Sequence, residues 1–524
     1  MTPAKHLRGI VLAACLFAAW ANHAAADRPP NIVFVLCDDH RFDCLGVEGH
    51  PFLETPHLDQ LARDGVIASR AYVTTSLCSP SRASILTGQY AHNHRVVDNY
   101  HPVDPTLTFF PQRLQDAGYR TAFIGKWHMG GESDQPRKGF DHWIAFKGQG
   151  TYWPDGHGTT REVPQTTYDG LNVNGTRVPQ NGYITDELTD YAEQWIRSVP
   201  KDQPFFLYVS HKAVHADFVP ADRHRGRYDD RPLPIVVPSP QSMADGNLPM
   251  WVRNQRNSRH GVDFGYNLHG FDPEVYYRRY CESLLAVDES VGRLRDFIKD
   301  RGQSDQTLFV YMGDNGFQFG DHGLIDKRVA YEASSRVPMI FAGPGIARNE
   351  SAAPRRYEPL IGNIDIAPTL LDAAGAEPLD TVDGVSAWNA LRESDAEPPR
   401  DDLLYEYYWE RNYPHTPTLH AVLGGRYKYI RVHGLWDRDE LYDLRSDPGE
   451  MKNLIHEPAL ASVRTQLSSR LWQMLQKDGD AEMPLLPDRG PVFPLRDSTE
   501  TPPATFPEQW RVAPSPADPT PHGG

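Results

Sequence analysis

Continuous apolar runs alternate with amphipathic stretches over roughly the first three quarters of the chain. The run from Asn31 to Cys37 ends in two acids and is typical of a strand covered on both faces in a parallel sheet. Similar strands are predicted at residues 66–73, 119–124, 205–210, 308–312 and 338–342. Helical patterns lie at residues 55–65, 107–117, 273–301 and 365–374. The alternation predicts an α/β fold with a mostly parallel central sheet flanked by helices.

The pattern changes near residue 380. Residues 403–408, 421–432 and 441–444 are predicted strands, and a helix is predicted at about 458–477. We therefore expect a main α/β domain at residues 27–380 and a smaller C-terminal α+β subdomain at residues 381–480. Residues 481–524 are rich in proline and weakly hydrophobic, which predicts an extended wrap or a partly disordered tail.

Residues 1–26 have the features of a secretory signal peptide. Lys5 and Arg8 precede the apolar run from Gly9 to Trp20, and Ala24-Ala25-Ala26 is a small-residue cleavage site. The run is short for a membrane span, and no later stretch is apolar enough for one. The sequence ending in Cys15 also resembles a bacterial lipobox, so lipid anchoring there is a minor alternative. We expect an exported protein, periplasmic or secreted, with no stable membrane partner.

Composition narrows the class of partner. The 524 residues are 40% hydrophobic, which suits a globular protein with a sizeable core. A net charge of −16 argues against nucleic acid, although a cleft lined with positive groups can still bind an anion. Of the 5 cysteines, all except Cys15 remain after cleavage, which is too few for a disulfide scaffold. A pair between Cys44 and Cys281 is left open.

The most informative polar segment is Cys78-Ser79-Pro80-Ser81-Arg82. Pro80 suits the first helical position, and Ser79 is then a good N-cap. Cys78 lies beside the free N–H groups of the helix, where negative charge is favoured, and Arg82 follows on the same face. An anion at this helix end would meet residue 78, the helix dipole and a guanidinium together. The plain alternative is a buried structural cysteine before an ordinary helix.

Two acid-rich segments directly follow predicted strands. Asp38 and Asp39 end one strand, and Asp314 and Asn315 end another. Hard divalent cations prefer oxygen ligands of this kind, and Ca²⁺ accepts six or more of them in irregular geometry. Neighbouring side chains can face one ion only where the strand breaks into a loop, and these positions meet that condition. The alternative is that each pair forms a turn or a cap.

Other candidate groups also follow predicted strands, where open α/β sheets bind their ligands. Lys126 and His128 come after the strand at 119–124, and His211 and His215 after the strand at 205–210. Lys327 lies in Leu-Ile-Asp-Lys-Arg, next to Arg328. Each of these residues, taken alone, is more simply a surface lysine or a packed histidine.

The segment Cys-Ser-Pro-Ser-Arg-Ala-Ser-Ile-Leu-Thr-Gly, which begins at Cys78, resembles the signature of type I sulfatases. The segment Gly-Tyr-Arg-Thr-Ala-Phe-Ile-Gly-Lys-Trp-His, which ends at His128, is also similar to that family. The resemblance implies an alkaline-phosphatase-like fold. It further implies that Cys78 is oxidised to Cα-formylglycine by a formylglycine-generating enzyme or an anaerobic maturase. One Ca²⁺ ion would then be held by Asp38, Asp39, Asp314, Asn315 and residue 78.

The resemblance also implies roles for the other groups. Arg82, Lys126 and Lys327 would bind the sulfate, and His128 would accept a proton from the hydrated aldehyde. The family places a histidine near the leaving oxygen, usually after a proline. His215 fits that place better than His211, although Val214 replaces the proline. His211 is then expected to contact the substrate from farther away or to be structural.

Residues 74–99 are most similar to sulfatases that act on sugar sulfates, including N-acetylglucosamine-6-sulfatases. We therefore expect hydrolysis of a sulfated polysaccharide or oligosaccharide to alcohol and inorganic sulfate. Trp409 and Arg411 are candidate glycan contacts, as are the arginines at 223–227 and at 253–259, with packing and a solvated charge run as the simpler alternatives. The rival functions are a formylglycine-dependent phosphonate or phosphate diester hydrolase and a silent glycan-binding homologue.

Overall fold

The computed structural model describes residues 28–130, 133–158, 170–255, 273–346, 353–393, 397–411, 413, 416–433 and 437–476. The predicted signal peptide at 1–26, with Cys15, and the proline-rich tail at 481–524 lie outside the described residues. Among the residues described, no helix combines the length and the apolar character that a membrane crossing requires.

The strands of the described residues form three sheets. In chain order they are β1 (Asn31–Cys37), β2 (Val66–Tyr72), β3 (Arg120–Lys126), β4 (His142–Phe146), β5 (Leu171–Val173), β6 (Thr176–Val178), β7 (Phe205–Ser210), β8 (Thr307–Gly313), β9 (Gln318–Phe319), β10 (Ile325–Asp326), β11 (Met339–Ala342), β12 (Arg355–Gly362), β13 (Leu403–Tyr407), β14 (Thr418–Leu423), β15 (Tyr427–His433) and β16 (Glu440–Asp443). The large sheet has ten strands in the order β12-β2-β11-β8-β1-β7-β3-β4-β5-β6.

The centre of the large sheet is parallel. The five neighbours β8, β1, β7, β3 and β4 run in one direction, and β12 is parallel to β2. By contrast, β11 is antiparallel to both of its neighbours, and β5 is antiparallel to both β4 and β6. The prediction of a mostly parallel sheet is confirmed. The short antiparallel strands β5 and β6 escaped prediction because three residues give too little periodicity.

Helices cover both faces of the large sheet, and other helices pack with the smaller C-terminal sheet. In chain order they are α1 (Pro56–Arg63), α2 (Cys78–Thr87), α3 (Ala91–His94), α4 (Phe110–Asp116), α5 (Ile184–Ser198), α6 (Pro240–Asp245), α7 (Met250–Gln255), α8 (Pro273–Asp300), α9 (Glu332–Ser335), α10 (Ile366–Ala374), α11 (Trp388–Arg392) and α12 (Ala461–Leu475). Strand β1 shows why both faces are apolar. Val33 and Val35 pack in the same core as α1, α5 and α8, whereas Ile32 and Phe34 pack with α2, α4 and α10.

The C-terminal part forms a smaller layer. Strands β13, β14, β15 and β16 pair antiparallel in that order, and Leu471 of α12 is buried in the same core. Tyr72 at the end of β2 and Tyr331 of the main sheet's loops belong to this core as well. The two sheets are therefore joined by a shared apolar cluster. Cys44 and Cys281 are both free and buried, so the pair that was left open does not form here.

Candidate active site

Four neighbouring strands bring their carboxyl ends together at one edge of the large sheet. In the order β8, β1, β7 and β3, these ends are followed or closed by Asp314, Asp38, Ser210 and Lys126. The backbone N–H of Asp38 bonds the carbonyl of Ala213 at 2.9 Å, and that of Asp314 bonds the carbonyl of Cys37, also at 2.9 Å. The segments after these strands are thus hydrogen-bonded to one another at the edge where open α/β sheets bind their ligands.

Cys78 lies at the start of α2, at the centre of this edge, and is fully buried. Its Sγ is 3.0 Å from Nζ of Lys327, 3.8 Å from Nζ of Lys126 and 3.5 Å from Oδ1 of Asp38. Burial raises the pKa of the Cys78 thiol to about 12, and Asp38 adds to the rise while both lysines oppose it. Residue 78 therefore stands between two ammonium groups and a carboxylate.

The start of α2 differs from the prediction. The helix begins at Cys78, with Leu77 as N-cap and no side-chain cap, so Ser79 is not the N-cap. The amide oxygen of Asn99 instead accepts a bond from the N–H of Ser79 at 3.1 Å, which takes the place of a capping side chain. Pro80 remains in the first turn, where its missing N–H costs nothing.

Arg82 is buried and binds the ends of four strands. Its Nε and a terminal nitrogen lie 3.0 and 2.8 Å from Oδ2 of Asp314, and the same terminal nitrogen is 3.3 Å from Asp38. The other terminal nitrogen donates to the carbonyl of Lys126 at 2.7 Å and to Oγ of Ser210 at 2.6 Å. Its guanidinium thus holds two carboxylates of the site in place. Ser210, which the sequence analysis did not single out, also donates to the Lys126 carbonyl at 2.8 Å.

The acidic residues converge on one point. Oxygens of Asp38, Asp39 and Asp314 all lie within 4.8 Å of one another. Asp39 has a φ of 56°, so the chain leaves the strand there, and both neighbouring acids face the same side as expected. Lys126 forms an ion pair with Asp38, and Lys327 with Asp39. Burial raises the pKa of Asp39 to about 7 against the pull of Lys327, with Asp38 and Asp314 adding to the rise.

Two buried acceptors test whether this cluster fits a cation. Oδ2 of Asp39 and Oδ1 of Asn315 have no hydrogen-bond partner within the described part of the chain. Nδ2 of Asn315 donates to Oδ1 of Asp39 at 2.6 Å, which brings the amide against the carboxylates. Buried acceptors without donors are costly unless something positive binds them. Carboxylate and amide oxygens in this number fit a hard divalent cation, and the residues are those predicted.

His128 reaches the site from the segment after β3. Its φ is 49°, and its Nδ1 is 3.4 Å from Oγ of Ser79 on α2. Nε2 of His128 lies 3.0 Å from Nε2 of Gln149, a contact that the sequence did not suggest. Burial, together with the charges of Lys126 and Arg82, holds the pKa of His128 well below its ordinary value. The imidazole is therefore placed as a neutral ring beside the start of α2.

The structure separates the two competing histidines. A ring nitrogen of His215 lies within 4.8 Å of both a carboxylate oxygen of Asp38 and Sγ of Cys78. Nδ1 of His215 bonds the carbonyl of Ala216 at 2.8 Å, so that nitrogen is the donor. His211 instead packs against α8, with Nε2 at 3.1 Å from Oγ of Ser290. The ring of His211 is buried against that helix, so of the two roles left open for it the structure favours the structural one over contact with the substrate.

Lys212 is a site neighbour that the sequence analysis missed. Its side chain is buried, and Nζ lies 4.8 Å from the ring centroid of Tyr152. The Tyr152 hydroxyl donates to the carbonyl of His215 at 2.6 Å, so both residues border the same loop. Burial and the nearby charge of Lys126 lower the pKa of Lys212 to about 8. The sequence signal that could have identified Lys212 is its position between two histidines directly after a strand.

The candidate glycan contacts lie farther out. Trp409 is 50% exposed, and Arg411 is exposed on the same loop between β13 and β14. This loop adjoins the site through Arg328, whose Nε is 2.6 Å from Glu410 and whose guanidinium lies 3.6 Å from the ring centroid of Tyr413.

The expected glycan role of the arginine-rich segment is not supported. Arg223 pairs with Asp186 and Glu289, and Arg227 pairs with Glu54, so these charges are matched by neighbouring acids. Residues 256–272, which include Arg256 and Arg259, lie outside the described residues.

Comparison with known proteins agrees with this geometry. The sulfatase family model matches residues 30–376, and the model of the N-sulphoglucosamine sulphohydrolase C-terminal region matches residues 320–477. An N-acetylglucosamine-6-O-sulfatase of Bacteroides thetaiotaomicron is 30% identical, over 90% of this chain and 91% of its own. A multifunctional alkaline phosphatase superfamily protein of Trinickia caryophylli is 28% identical, over 86% of this chain and 96% of its own.

A solved structure leads to the same group. It was determined in complex with its substrate, D-glucosamine-2-N,6-O-disulfate, and has a TM-score of 0.75 and 27% identity, covering 87% of this chain and 99% of the other. With the family match, the alkaline-phosphatase-like sheet and its polar edge are those of a sulfuric ester hydrolase. The chain belongs to the sulfatase family.

Proposed function

We propose that this protein is an exported sulfatase that releases inorganic sulfate from a sulfated polysaccharide or oligosaccharide. The observation that carries the proposal is the position of Cys78 Sγ between the ammonium groups of Lys126 and Lys327. Two cations at one reacting position suit an ester with several negative oxygens. The relatives named for N-acetylglucosamine-6-O-sulfate and for a disulfated glucosamine support a sulfated amino sugar as the substrate class.

The nucleophile in this proposal is formylglycine made from Cys78 by a formylglycine-generating enzyme or an anaerobic maturase. Hydration of the aldehyde supplies one hydroxyl that attacks sulfur and a second whose deprotonation lets the intermediate collapse and release sulfate. The mass of the tryptic peptide that contains residue 78 tests this step. A peptide lighter than the cysteine form is expected, and an unchanged thiol in active enzyme would contradict it.

We further propose that the cation is Ca²⁺, held by Asp38, Asp39, Asp314 and Asn315 together with residue 78. The two unpartnered buried oxygens and the crowding of three carboxylates support this donor set. When bound, the ion would supply positive charge beside the reacting position and would orient the nucleophile. Elemental analysis of the purified protein is expected to find about one calcium per chain, and a stoichiometric transition metal would overturn the choice of ion.

In this proposal, side chains of the protein bind the sulfate, orient the carboxylates and transfer the protons. Lys126 and Lys327 bind the sulfate oxygens, which hold more charge in the transition state than in the substrate. Arg82 orients the carboxylates on one side of the ester. His215, protonated at its other ring nitrogen in the substrate complex, gives that proton to the leaving sugar oxygen, and His128 takes one from residue 78. The buried positions of these side chains exclude bulk water from the reacting atoms.

Substrate profiling separates this function from its rival. Sulfate release from N-acetylglucosamine-6-sulfate and from short sulfated oligosaccharides is expected, with little turnover of a phenyl phosphonate ester. Good phosphonate turnover without sulfate release from any sugar would favour the phosphonate or phosphate diester hydrolase instead. Cys78→Ala is the control for both assays, because it leaves no precursor of the nucleophile.

The proposed export is tested independently of activity. Fractionation of the native host is expected to place the processed chain, cleaved near Ala26, in the periplasm or the medium. Retention in a membrane fraction that Cys15→Ala abolishes would favour lipid anchoring.

A further inference from the structure

A second buried lysine cluster lies behind the active site, between the two sheets. Lys428 extends from β15, and its Nζ is 2.7 Å from Oε1 of Glu332 and 2.8 Å from Oε1 of Glu450. Glu332 belongs to α9 on the main-sheet side, whereas Glu450 follows β16. We refer to Lys428, Glu332 and Glu450 as the clamp. All three side chains are buried, so the clamp is a charged bridge shielded from solvent.

The clamp holds backbone atoms of the loop that contains Lys327. Nζ of Lys428 donates to the carbonyl of Ala330 at 2.9 Å, three residues after Lys327. Oε2 of Glu450 accepts the N–H of Glu332 at 2.7 Å, and the backbone carbonyl of Glu450 lies 3.1 Å from Nε2 of His322. The loop from 322 to 332 is therefore fastened by the C-terminal layer after Lys327 and, through His322, before it.

A second contact from the same layer fixes the residue next to Lys327. Arg328 is buried and lies 2.6 Å from Glu410, which belongs to the loop after β13. Lys327 itself follows the two-residue strand β10 directly, and within the described part of the chain that strand pairs with β9 alone. A ribbon of two residues supplies little rigidity of its own. The loop consequently depends on the C-terminal layer for its position.

We propose that Lys428 is a positioning residue for the sulfatase reaction, which acts by holding the Lys327 loop so that Nζ of Lys327 stays beside residue 78. This inference rests on the proposed function, because it takes Lys327 as a sulfate-binding group. A displacement of about 1 Å in a reacting group can cost about a hundredfold in rate. The C-terminal layer is thereby part of the catalytic apparatus although none of the clamp residues touches Cys78.

The test uses the full-length protein and 4-nitrophenyl sulfate as the probe. Lys428→Met is expected to lower kcat by about tenfold to a hundredfold, with KM changed by less than about threefold. Lys428→Arg keeps the charge and the donors and is expected to recover part of the loss. Arg426→Met is the matched control, since Arg426 precedes the same strand but is exposed and pairs with Asp443. It is expected to leave kcat unchanged.

A double-mutant cycle distinguishes positioning from a general structural effect. In a Lys327→Ala background, Lys428→Met is expected to cause less than about a twofold further loss of kcat, because the group that it positions is gone. An equal loss in both backgrounds, or full kcat in Lys428→Met, would overturn the inference. If Lys327→Ala alone retains wild-type kcat, the proposed role of Lys327 fails instead.

A variant that keeps Lys428 covers the case in which Lys428→Met does not fold. Glu450→Gln preserves the size of the side chain and an acceptor for the N–H of Glu332. It is expected to lower kcat in the wild-type background and to have no further effect in Lys327→Ala. Additive losses of kcat for Glu450→Gln and Lys327→Ala would also contradict the inference that the clamp positions Lys327.

Discussion

Two buried clusters in this molecule hold lysines against carboxylates, and they differ in what else their groups touch. At the edge of the large sheet, Lys126 and Lys327 each contact a carboxylate and Sγ of Cys78. Two oxygens of that cluster, on Asp39 and Asn315, have no partner among the described residues. In the clamp, Lys428 and Glu450 reach backbone atoms of the Lys327 loop.

The difference shows that buried lysine–carboxylate pairs can serve two purposes, ligand binding and the positioning of backbone. A cluster whose buried acceptors lack a donor among the described residues is arranged for a ligand. Positive φ angles do not distinguish the two clusters, because Glu450 of the clamp has one as well as Asp39 and His128. A cluster that bonds backbone atoms across two layers is arranged to fix their relative position. Buried ion pairs add little net stability, so their value lies in the geometry that they impose.

The largest expected effect is on the cluster at the sheet edge. Cys78→Ala removes the precursor of the nucleophile, and sulfate release is expected to fall by about 10⁵-fold. The free energy of unfolding is expected to change by only about 1 kcal/mol, because a small side chain is lost. Sulfate-release assays and denaturant unfolding measure the two quantities. Residual turnover within a hundredfold of wild type would contradict the assignment.

Removal of the cation is expected to affect the cluster at the sheet edge more than the clamp. Treatment with a calcium chelator is expected to lower sulfate release by about a thousandfold, and added Ca²⁺ should restore it. Chelation should also lower the melting temperature, and added Ca²⁺ should raise it again, since a ligand present at about a hundred times its Kd stabilises the fold by about 2.7 kcal/mol. Asp314→Asn is the matched variant, and its melting temperature should respond less to Ca²⁺. An equal response would place the cation elsewhere.

The clamp is expected to affect stability as well as rate. Lys428→Met leaves Glu450 buried without its cation and leaves Glu332 with the guanidinium of Arg336, 3.5 Å away, so it should cost about 3–5 kcal/mol in the free energy of unfolding. Combining it with Glu332→Gln and Glu450→Gln removes those charges and should recover much of the loss. Lys327→Met measured with Ca²⁺ present is expected to cost less, because the ion offsets the charge of Asp39. Denaturant unfolding of these variants measures the loss in the free energy of unfolding for each of them and so tests the expected order.

The smallest effect is expected at the outer loop. Trp409→Ala and Arg411→Ala should each raise KM for a sulfated oligosaccharide by about fivefold, and leave turnover of 4-nitrophenyl sulfate unchanged. The physical reason is that both side chains are exposed and lie beside the Arg328 contact, outside the reacting atoms. A parallel loss with both substrates would show that the loop supports the site rather than the sugar.

Much of the fold could be predicted because its main strands are fully apolar. Strands β1, β7 and β8 are buried along their whole length, and such runs leave little room for another interpretation. The site residues that follow strand ends were predictable for the same reason. Lys212 was missed although it follows β7 between two histidines, whereas Gln149 lies in a loop, where no periodicity marks it.

The sequence alone could not decide whether His211 or His215 faces the active site. Both follow β7 within five residues, and either could have faced the site. The loop after β7 turns His211 toward Ser290 of α8 and brings His215 within 4.8 Å of Cys78 and Asp38. Loop direction depends on what packs against it, so local pattern cannot supply it.

By itself, the sequence determined the class of fold, the edge at which polar groups gather and the segment around Cys78. These follow from local patterns, since apolar runs, strand ends and a helix start are all encoded by neighbouring residues. Only the tertiary structure decided that Arg82 binds carboxylates, that Lys428 fastens the Lys327 loop and that Arg223 is already paired. Those contacts join residues far apart in the chain, and distance in sequence leaves no local signal of them.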